Sequence, residues 1–286
     1  MAYLEPILVV GAPRSGTKML RDLIRLHPSN EGNSYEVERV WCHGSQNRFG
    51  MTLSPSDLTP ATRNYVRSYF YKASARCRGK RIVDKNVHNS MRIGYIHTIF
   101  PDSPIIHIVR DGRDVVCSLR DIWRSTADYS YIIKTRSFPI REIPFFLKRQ
   151  LKWRLEKVLT GKNHVKWWGP RFDDMEELVK TLTLVEICSI QWKRCTEAAD
   201  AGLSMLKPEC FIQVKYEDVV TKPAETMEMI YDFLQLDITD HLRSRISKYV
   251  TATSVGRWQR ALSLNDIELI MPNIHGTLLK LGYVTQ

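Results

Sequence analysis

The chain has 286 residues, 43% of them hydrophobic, which suits one large α/β domain, with or without an insertion, better than two independent folds. Lys and Arg outnumber Asp and Glu by 42 to 31, so the formal net charge of +11 calls for an anionic partner: a nucleotide, a nucleic acid, a sulfated polymer or a membrane surface. No apolar run approaches the roughly 18 residues of a membrane span, no signal peptide precedes the first apolar run, and the six cysteines form neither a C-x-x-C pair nor a metal-ligand spacing, so a cytoplasmic protein with buried thiols is expected.

In chain order, Ile7–Val10 is a short run of β-branched and Leu residues, the pattern of a strand buried on both faces. Gly11–Gly16 breaks it, and Met19, Leu20, Leu23, Ile24 and Leu26 then recur at helical spacing until His27-Pro28. Ser29–Gly50 is polar and turn-rich, with no element predicted. Thr59-Pro60 opens a helix, a cap residue followed by Pro at the first helical position, with Tyr65, Val66, Tyr69, Phe70 and Ala73 as its apolar stripe. Arg81–Asp84 reads as a strand, Met91–Phe100 as a helix and Ile105–Val109 as a second fully buried strand. Asp111 caps a helix running to about Trp123.

Residues 122–172 break the alternation. They are aromatic and basic, with eleven Lys/Arg against two Asp/Glu between Lys134 and Arg171, and are expected to form a partly helical insertion over the sheet, acting as a lid. A long helix is predicted over Asp174–Ala199, a strand over Phe211–Val214 and a helix over Pro223–Leu234. Strands alternating with helices imply a parallel sheet covered on both faces, with ligands at the carboxyl ends of the strands.

The segment Gly11-Ala-Pro-Arg-Ser-Gly-Thr-Lys18 joins a buried strand to a helix N-terminus, where unpaired N–H groups and the helix dipole favour an anion. A nucleotide triphosphatase would need G-x-x-x-x-G-K-[ST]; here Thr17 and Lys18 stand in the reverse order, which takes the hydroxyl away from the metal position. Downstream, Ile105-Ile-His-Ile-Val-Arg-Asp-Gly-Arg-Asp-Val-Val-Cys-Ser118 is again strand, turn and helix. Arg110 offers a planar fork suited to phosphate, with Ser118 about two helical turns further on. Phe211-Ile-Gln-Val-Lys-Tyr-Glu-Asp-Val-Val, followed by Pro223, and Val255-Gly-Arg-Trp-Gln complete a set of four separated motifs.

Together these motifs resemble those of sulfotransferases that use 3′-phosphoadenosine-5′-phosphosulfate (PAPS), in particular the bacterial and tyrosylprotein-type branch with its Pro-Arg-Ser-Gly-Thr loop. The resemblance implies a single domain over residues 1–286 with a three-layer P-loop-like α/β fold: a central parallel sheet flanked by helices, plus the insertion. It implies that Pro13, Arg14, Ser15, Gly16, Thr17 and Lys18 hold the 5′-phosphosulfate, that Arg110, Ser118 and Arg257 (with Trp258 beside it) hold the 3′-phosphate, and that Tyr216 lies near the adenine. Arg14, with Lys18 as the second candidate, would stabilise charge on the leaving phosphate, and Lys85 would face the sulfuryl group or the acceptor, with no metal required. Lys18 departs from the small residue usual there, and Asn86 and Val87 replace the hydroxyl residue and Pro that usually follow the strand-end Lys. A base for the acceptor should be a Glu or His near the strand ends. Glu36 is the first candidate, close to where tyrosylprotein-type enzymes carry a catalytic Glu, and His88 is the second; Glu31 and Glu38 follow. The implied partners are PAPS and its product PAP, with a hydroxyl or amine acceptor, and a trimmed lumenal domain of a Golgi-type enzyme is the alternative location. A P-loop kinase or NTPase is the competing function, and a basic nucleic-acid or membrane module would account only for the stretch at 134–171.

Overall fold

A computed structural model describes residues 5–32, 36–45, 52–124 and 169–285. The chain divides into two compact units, Met1–Arg120 with Gly169–Gln286, and Asp121–Trp168. The expected insertion at 122–172 falls outside the described residues except at its two ends, and everything below concerns the first unit.

Its centre is a parallel sheet of five strands: β1 (Ile7–Val10), β2 (Asn30–Gly32), β3 (Arg81–Lys85), β4 (Ile105–Val109) and β5 (Phe211–Lys215), in the order β2-β3-β1-β4-β5. Every pairing is parallel, and the register sets Val9 beside Lys85 and Val10 beside His107. β1 is the middle strand and is buried throughout because its alternate side chains serve two cores. Ile7 and Val9 pack with Leu20, Leu23, Ile108, Val214, Met227 and Tyr231 on one face. Leu8 and Val10 pack with Trp41, Phe70, Ile96 and Phe100 on the other.

Three predicted helices form close to their expected bounds: α1 (Thr17–Ile24), α3 (Pro60–Arg76) and α5 (Gly112–Arg124). Thr59 Oγ1 accepts from Thr62 N at 3.1 Å ahead of Pro60, and Asp111 Oδ1 accepts from Arg113 N at 2.9 Å, so both expected caps are present. Elsewhere the structure adds detail that the pattern did not supply. The polar stretch after α1 contains edge strand β2 and a short helix α2 (Glu38–Trp41). The helix expected from Met91 begins as a 3-10 turn, Val87–Met91, before α4 (Ile93–Ile99). The long helix expected over 174–199 is two helices, α6 (Met175–Thr181) and α7 (Leu184–Leu203). Thr183 and Glu186 restart the chain there, Glu186 accepting from Thr183 N at 2.8 Å. After β5 come α8 (Tyr216–Thr221), α9 (Pro223–Phe233), α10 (Asp240–Tyr249), α11 (Trp258–Ala261) and α12 (Leu264–Lys280). Among the described residues no helix is long and apolar enough to cross a membrane. The cysteines are free, four of them buried and two half-buried.

Candidate active site

The loop between β1 and α1 is held open by its own backbone. Arg14 (φ 70°) and Gly16 (φ 93°) both lie in the left-handed region, and Gly16 caps α1 without a side-chain bond. Glycine is needed at both ends for lack of space as well. A Cβ on Gly11 would lie 2.4 Å from Ile108 O, and one on Gly16 would lie 2.5 Å from Tyr216 Cδ2. The first N–H groups of α1 have no intrahelical acceptor, so the turn presents donors and a partial positive charge. Ser15 is buried, and its Oγ has no hydrogen-bond partner within the protein. A buried hydroxyl left unpaired at a helix N-terminus is suited to an anionic oxygen. Thr17 is buried, whereas Arg14 and Lys18 are exposed.

Beside this loop, on the β4 side, Arg110 leaves the strand end and is almost fully buried. Its Nη1 donates to Arg14 O at 3.2 Å and its Nη2 to Ser254 O at 2.6 Å, so one guanidinium joins the phosphate loop to the C-terminal segment. It lies 4.2 Å over the Tyr216 ring, a cation–π contact, while its Nε is buried without a partner. Tyr216 is the first residue of α8; its hydroxyl is 2.6 Å from Ser254 Oγ. Arg14 Nε donates to Ser118 Oγ at 2.8 Å, which brings these two predicted residues together across 104 positions of sequence.

The C-terminal segment is fixed by Asp114, a buried carboxylate on α5 that the sequence reading did not single out. It accepts from Gly256 N at 2.9 Å and from Trp258 N at 2.8 Å, and it lies 3.6 Å from Arg110 Nη2. Its signal in the sequence is its position four residues after Arg110. Trp258 itself stacks under Arg113 at 4.1 Å, and Arg113 is pinned by Asp111 at 2.7 Å. Glu217 ties the neighbouring turn together, accepting from Asp111 N at 3.1 Å and from the Tyr283 hydroxyl at 2.7 Å. Burial and the Glu217 charge push the Tyr283 hydroxyl well above its ordinary range, which keeps it a donor. Arg257, half-buried, precedes α11 directly in this segment.

On the other side of β1, the end of β3 carries a second group. Lys85 Nζ bonds to Glu36 Oε1, and both side chains are largely shielded from solvent. His88 Nδ1 lies 3.0 Å from Asn86 Oδ1, 3.5 Å from Glu38 Oε2 and 4.0 Å from Glu36 Oε2. The predicted Glu36, Lys85 and His88 are therefore neighbours. Glu31 is elsewhere, on β2, paired with Arg25 at 2.6 Å. Glu38 is buried behind His88 and paired with fully buried Arg92, whose Nη2 is 2.5 Å away. Burial alone would raise the Glu38 carboxyl, but the Arg92 guanidinium outweighs it and holds the group well below the usual carboxylate range. Among the described residues no group of three or more His, Cys, Asp or Glu could hold a metal ion.

Loop, Arg110 and the β3 group all stand at the carboxyl ends of adjacent strands, the expected ligand edge of a parallel sheet. Comparison with curated protein sequences returned no match. Among solved structures, the chain is similar to the sulfotransferase domain from the curacin biosynthetic pathway, at 15% identity and a TM-score of 0.54, covering 96% of this chain and 99% of that one. It is similar also to a sulfotransferase from Mycobacterium avium (13% identity, TM-score 0.55, 97% and 77% covered). A mouse sulfotransferase complexed with PAP is a third (15% identity, TM-score 0.50, 98% and 88% covered). At these identities the likeness is one of fold. The profile of the sulfotransferase family matches residues 6–142 and 166–240, a span that includes the phosphate loop, the Arg110–Ser118 turn and the Tyr216 turn, and by that match the chain belongs to the sulfotransferase family.

Proposed function

We propose that this chain transfers a sulfuryl group from PAPS to a hydroxyl or amine acceptor. The observation that carries the reading is the adjacency of two anion sites on one strand edge. The Gly11–Lys18 turn, with its unpaired buried Ser15 hydroxyl, lies next to Arg110, whose Nε is buried without a partner, and Arg110 is bonded to that turn at 3.2 Å. A triphosphate needs one such site, whereas a nucleotide phosphorylated at both 3′ and 5′ needs two. In this reading Pro13–Lys18 hold the 5′ end, and Arg110, Ser118 and Arg257 hold the 3′-phosphate. Tyr216 supports Arg110 from below and borders the base, and Trp258 keeps Arg113 and the C-terminal segment in place. The donor, when bound, supplies an activated sulfuryl group on a phosphate leaving group.

The chain's own residues do the rest by positioning and by stabilising charge. Arg14, exposed and bonded to Ser118, stands in the loop that would hold the leaving phosphate and brings a positive charge to it. Lys85 faces the sulfuryl group from the β3 side, and Glu36 holds its ammonium there. Glu36, the first candidate for the base, keeps its second oxygen beside the Lys85 pair, and His88 stands next to it as the second candidate. No step is assigned to a metal ion, and six free cysteines suit a reducing, cytoplasmic setting. The test is transfer of labelled sulfuryl from PAPS across a panel of alcohols, phenols, sugars and amines. Labelled product, lost in Arg110→Ala, supports the reading; phosphoryl transfer from ATP with Mg²⁺ and none from PAPS would overturn it.

A further inference from the structure

Two strand-end turns meet beside Arg110, and one residue from a third part of the chain bonds to both. α12 is closed by a left-handed glycine: Gly282 has φ 71°, its N–H donates to Leu279 O at 3.0 Å, and the N–H of Tyr283 reaches back to Leu278 O at 2.9 Å. This pair of bonds ends the helix and turns the chain, which delivers Tyr283 to the two turns. The Tyr283 hydroxyl donates to Glu217 Oε2 at 2.7 Å, and the other oxygen of that carboxylate accepts from Asp111 N at 3.1 Å. The Tyr283 carbonyl accepts from Arg113 Nη2 at 3.2 Å, the same guanidinium that pairs with Asp111 at 2.7 Å and lies 4.1 Å over Trp258. Lys215 Nζ, at the end of β5, lies 4.9 Å from the Tyr283 ring.

Each turn carries a donor-site residue one position before the bonded one. Asp111 follows Arg110, and Glu217 follows Tyr216, whose ring lies 4.2 Å from the Arg110 guanidinium. Movement of either turn therefore displaces the guanidinium or the ring it rests on. The Glu217 carboxylate joins the two turns, but a Glu side chain held at one oxygen keeps much of its rotamer freedom; the Tyr283 bond to the second oxygen removes it. We propose that Tyr283, acting through Glu217 and Asp111, is a positioning residue that locks the Arg110 turn against the Tyr216 turn, and so sets how strongly the chain prefers a nucleotide with a 3′-phosphate over one without it. The preference rests on the sulfuryl-donor reading above; the lock does not. Tyr283 lies 66 positions from Glu217 and beyond residue 240, where the match to the family profile ends, so none of the four motifs marks it.

Tyr283→Phe removes the hydroxyl and keeps the ring, and two measurements follow its effect. In the ligand-free protein the Asp111 amide should exchange with solvent about fivefold faster or more, while the amides of β1 keep the parent rate. Calorimetric titration should show PAP bound about 3- to 10-fold more weakly and adenosine 5′-phosphosulfate bound as before, so that the advantage of the 3′-phosphate shrinks. Gly79→Ala separates positioning from stability: its left-handed backbone is strained by the new Cβ, yet the ratio of the two affinities should stay at the parent value. An unchanged Asp111 exchange rate in Tyr283→Phe, or an affinity ratio within about twofold of the parent's, would overturn the proposal. Equal binding of the two nucleotides by the intact protein would instead overturn the donor reading and with it the preference, leaving the lock to stand or fall on the Asp111 amide alone.

Discussion

Asp114→Asn is the sharpest perturbation of the donor site, because it changes one atom of a buried side chain and leaves the volume alone. The carboxylate accepts from Gly256 N and Trp258 N, one on each oxygen, at 2.9 and 2.8 Å. An amide keeps one of these bonds and turns its NH₂ toward the other N–H. A hydrogen bond to a charged group contributes about 1.5–3 kcal/mol, and an N–H left facing a donor adds a penalty of its own. The segment from Ser254 to Trp258 should therefore be held less firmly by about 2 kcal/mol. That segment carries the Ser254 carbonyl that fixes Arg110 at 2.6 Å, so the loss is transmitted to the proposed 3′-phosphate site. Since about 1.4 kcal/mol is tenfold, calorimetric titration with PAP should show affinity weakened by roughly 30-fold. The variant should still unfold cooperatively, because the substitution removes no side chain from either apolar core. A PAP affinity within about threefold of the parent protein would refute the argument that Asp114 builds the site.

Gly16→Ala should cost about 1–2 kcal/mol of left-handed backbone strain and push the new Cβ into Tyr216, 2.5 Å away, so PAP binding should fall well beyond tenfold by calorimetry. Gly79→Ala is its control, with φ at +78° and nothing within 4 Å of the new atom: it should lose stability and keep donor binding. Arg92→Ala leaves Glu38 buried without its counter-charge and should destabilise the fold by about 3–5 kcal/mol, read from the urea midpoint. His107 on β4 is buried, its Nδ1 3.1 Å from Gln213 Oε1 on β5, and burial pushes its pKa down to about 4. The unfolded chain takes up this proton near pH 6.5 and the folded one does not, so stability from this residue is complete above that pH and is lost as pH falls toward 4. The loss should reach about 3 kcal/mol by pH 4, and the urea midpoint of His107→Asn should vary less across that window.

The features read best from sequence were those with a local cause. β1, β4 and β5 are apolar runs, and the phosphate loop follows from two glycines between a buried strand and a helix. β2 escaped because Asn30-Glu-Gly32 has no apolar alternation; it forms only because the edge of β3 offers it partners, from Asn30 beside Arg81 to Gly32 beside Val83. The break between α6 and α7 was legible, since Thr183-Leu-Val-Glu186 is a capping box, but a continuous helical stripe masked it. Arg14 with Ser118, and Arg110 with Tyr216, were expected at one ligand from the family resemblance and are in contact. The pairing of Glu38 with Arg92, 54 positions apart, had no such signal: each looks like a surface charge until the fold buries both. Asp114 was missed for a related reason, because its partners are backbone N–H groups 142 and 144 positions away and no side-chain pattern marks them.

The central claim is that one strand edge holds a nucleotide by phosphates at both its 5′ and 3′ ends. Its most direct measurement is a calorimetric comparison of PAP, adenosine 5′-phosphosulfate without the 3′-phosphate, and ATP with Mg²⁺, on the intact protein and on Arg110→Ala. The account predicts tight binding of PAP alone and loss of the advantage conferred by the 3′-phosphate in Arg110→Ala. Equal affinity for the ligands with and without a 3′-phosphate, or preference for ATP with Mg²⁺, would contradict it.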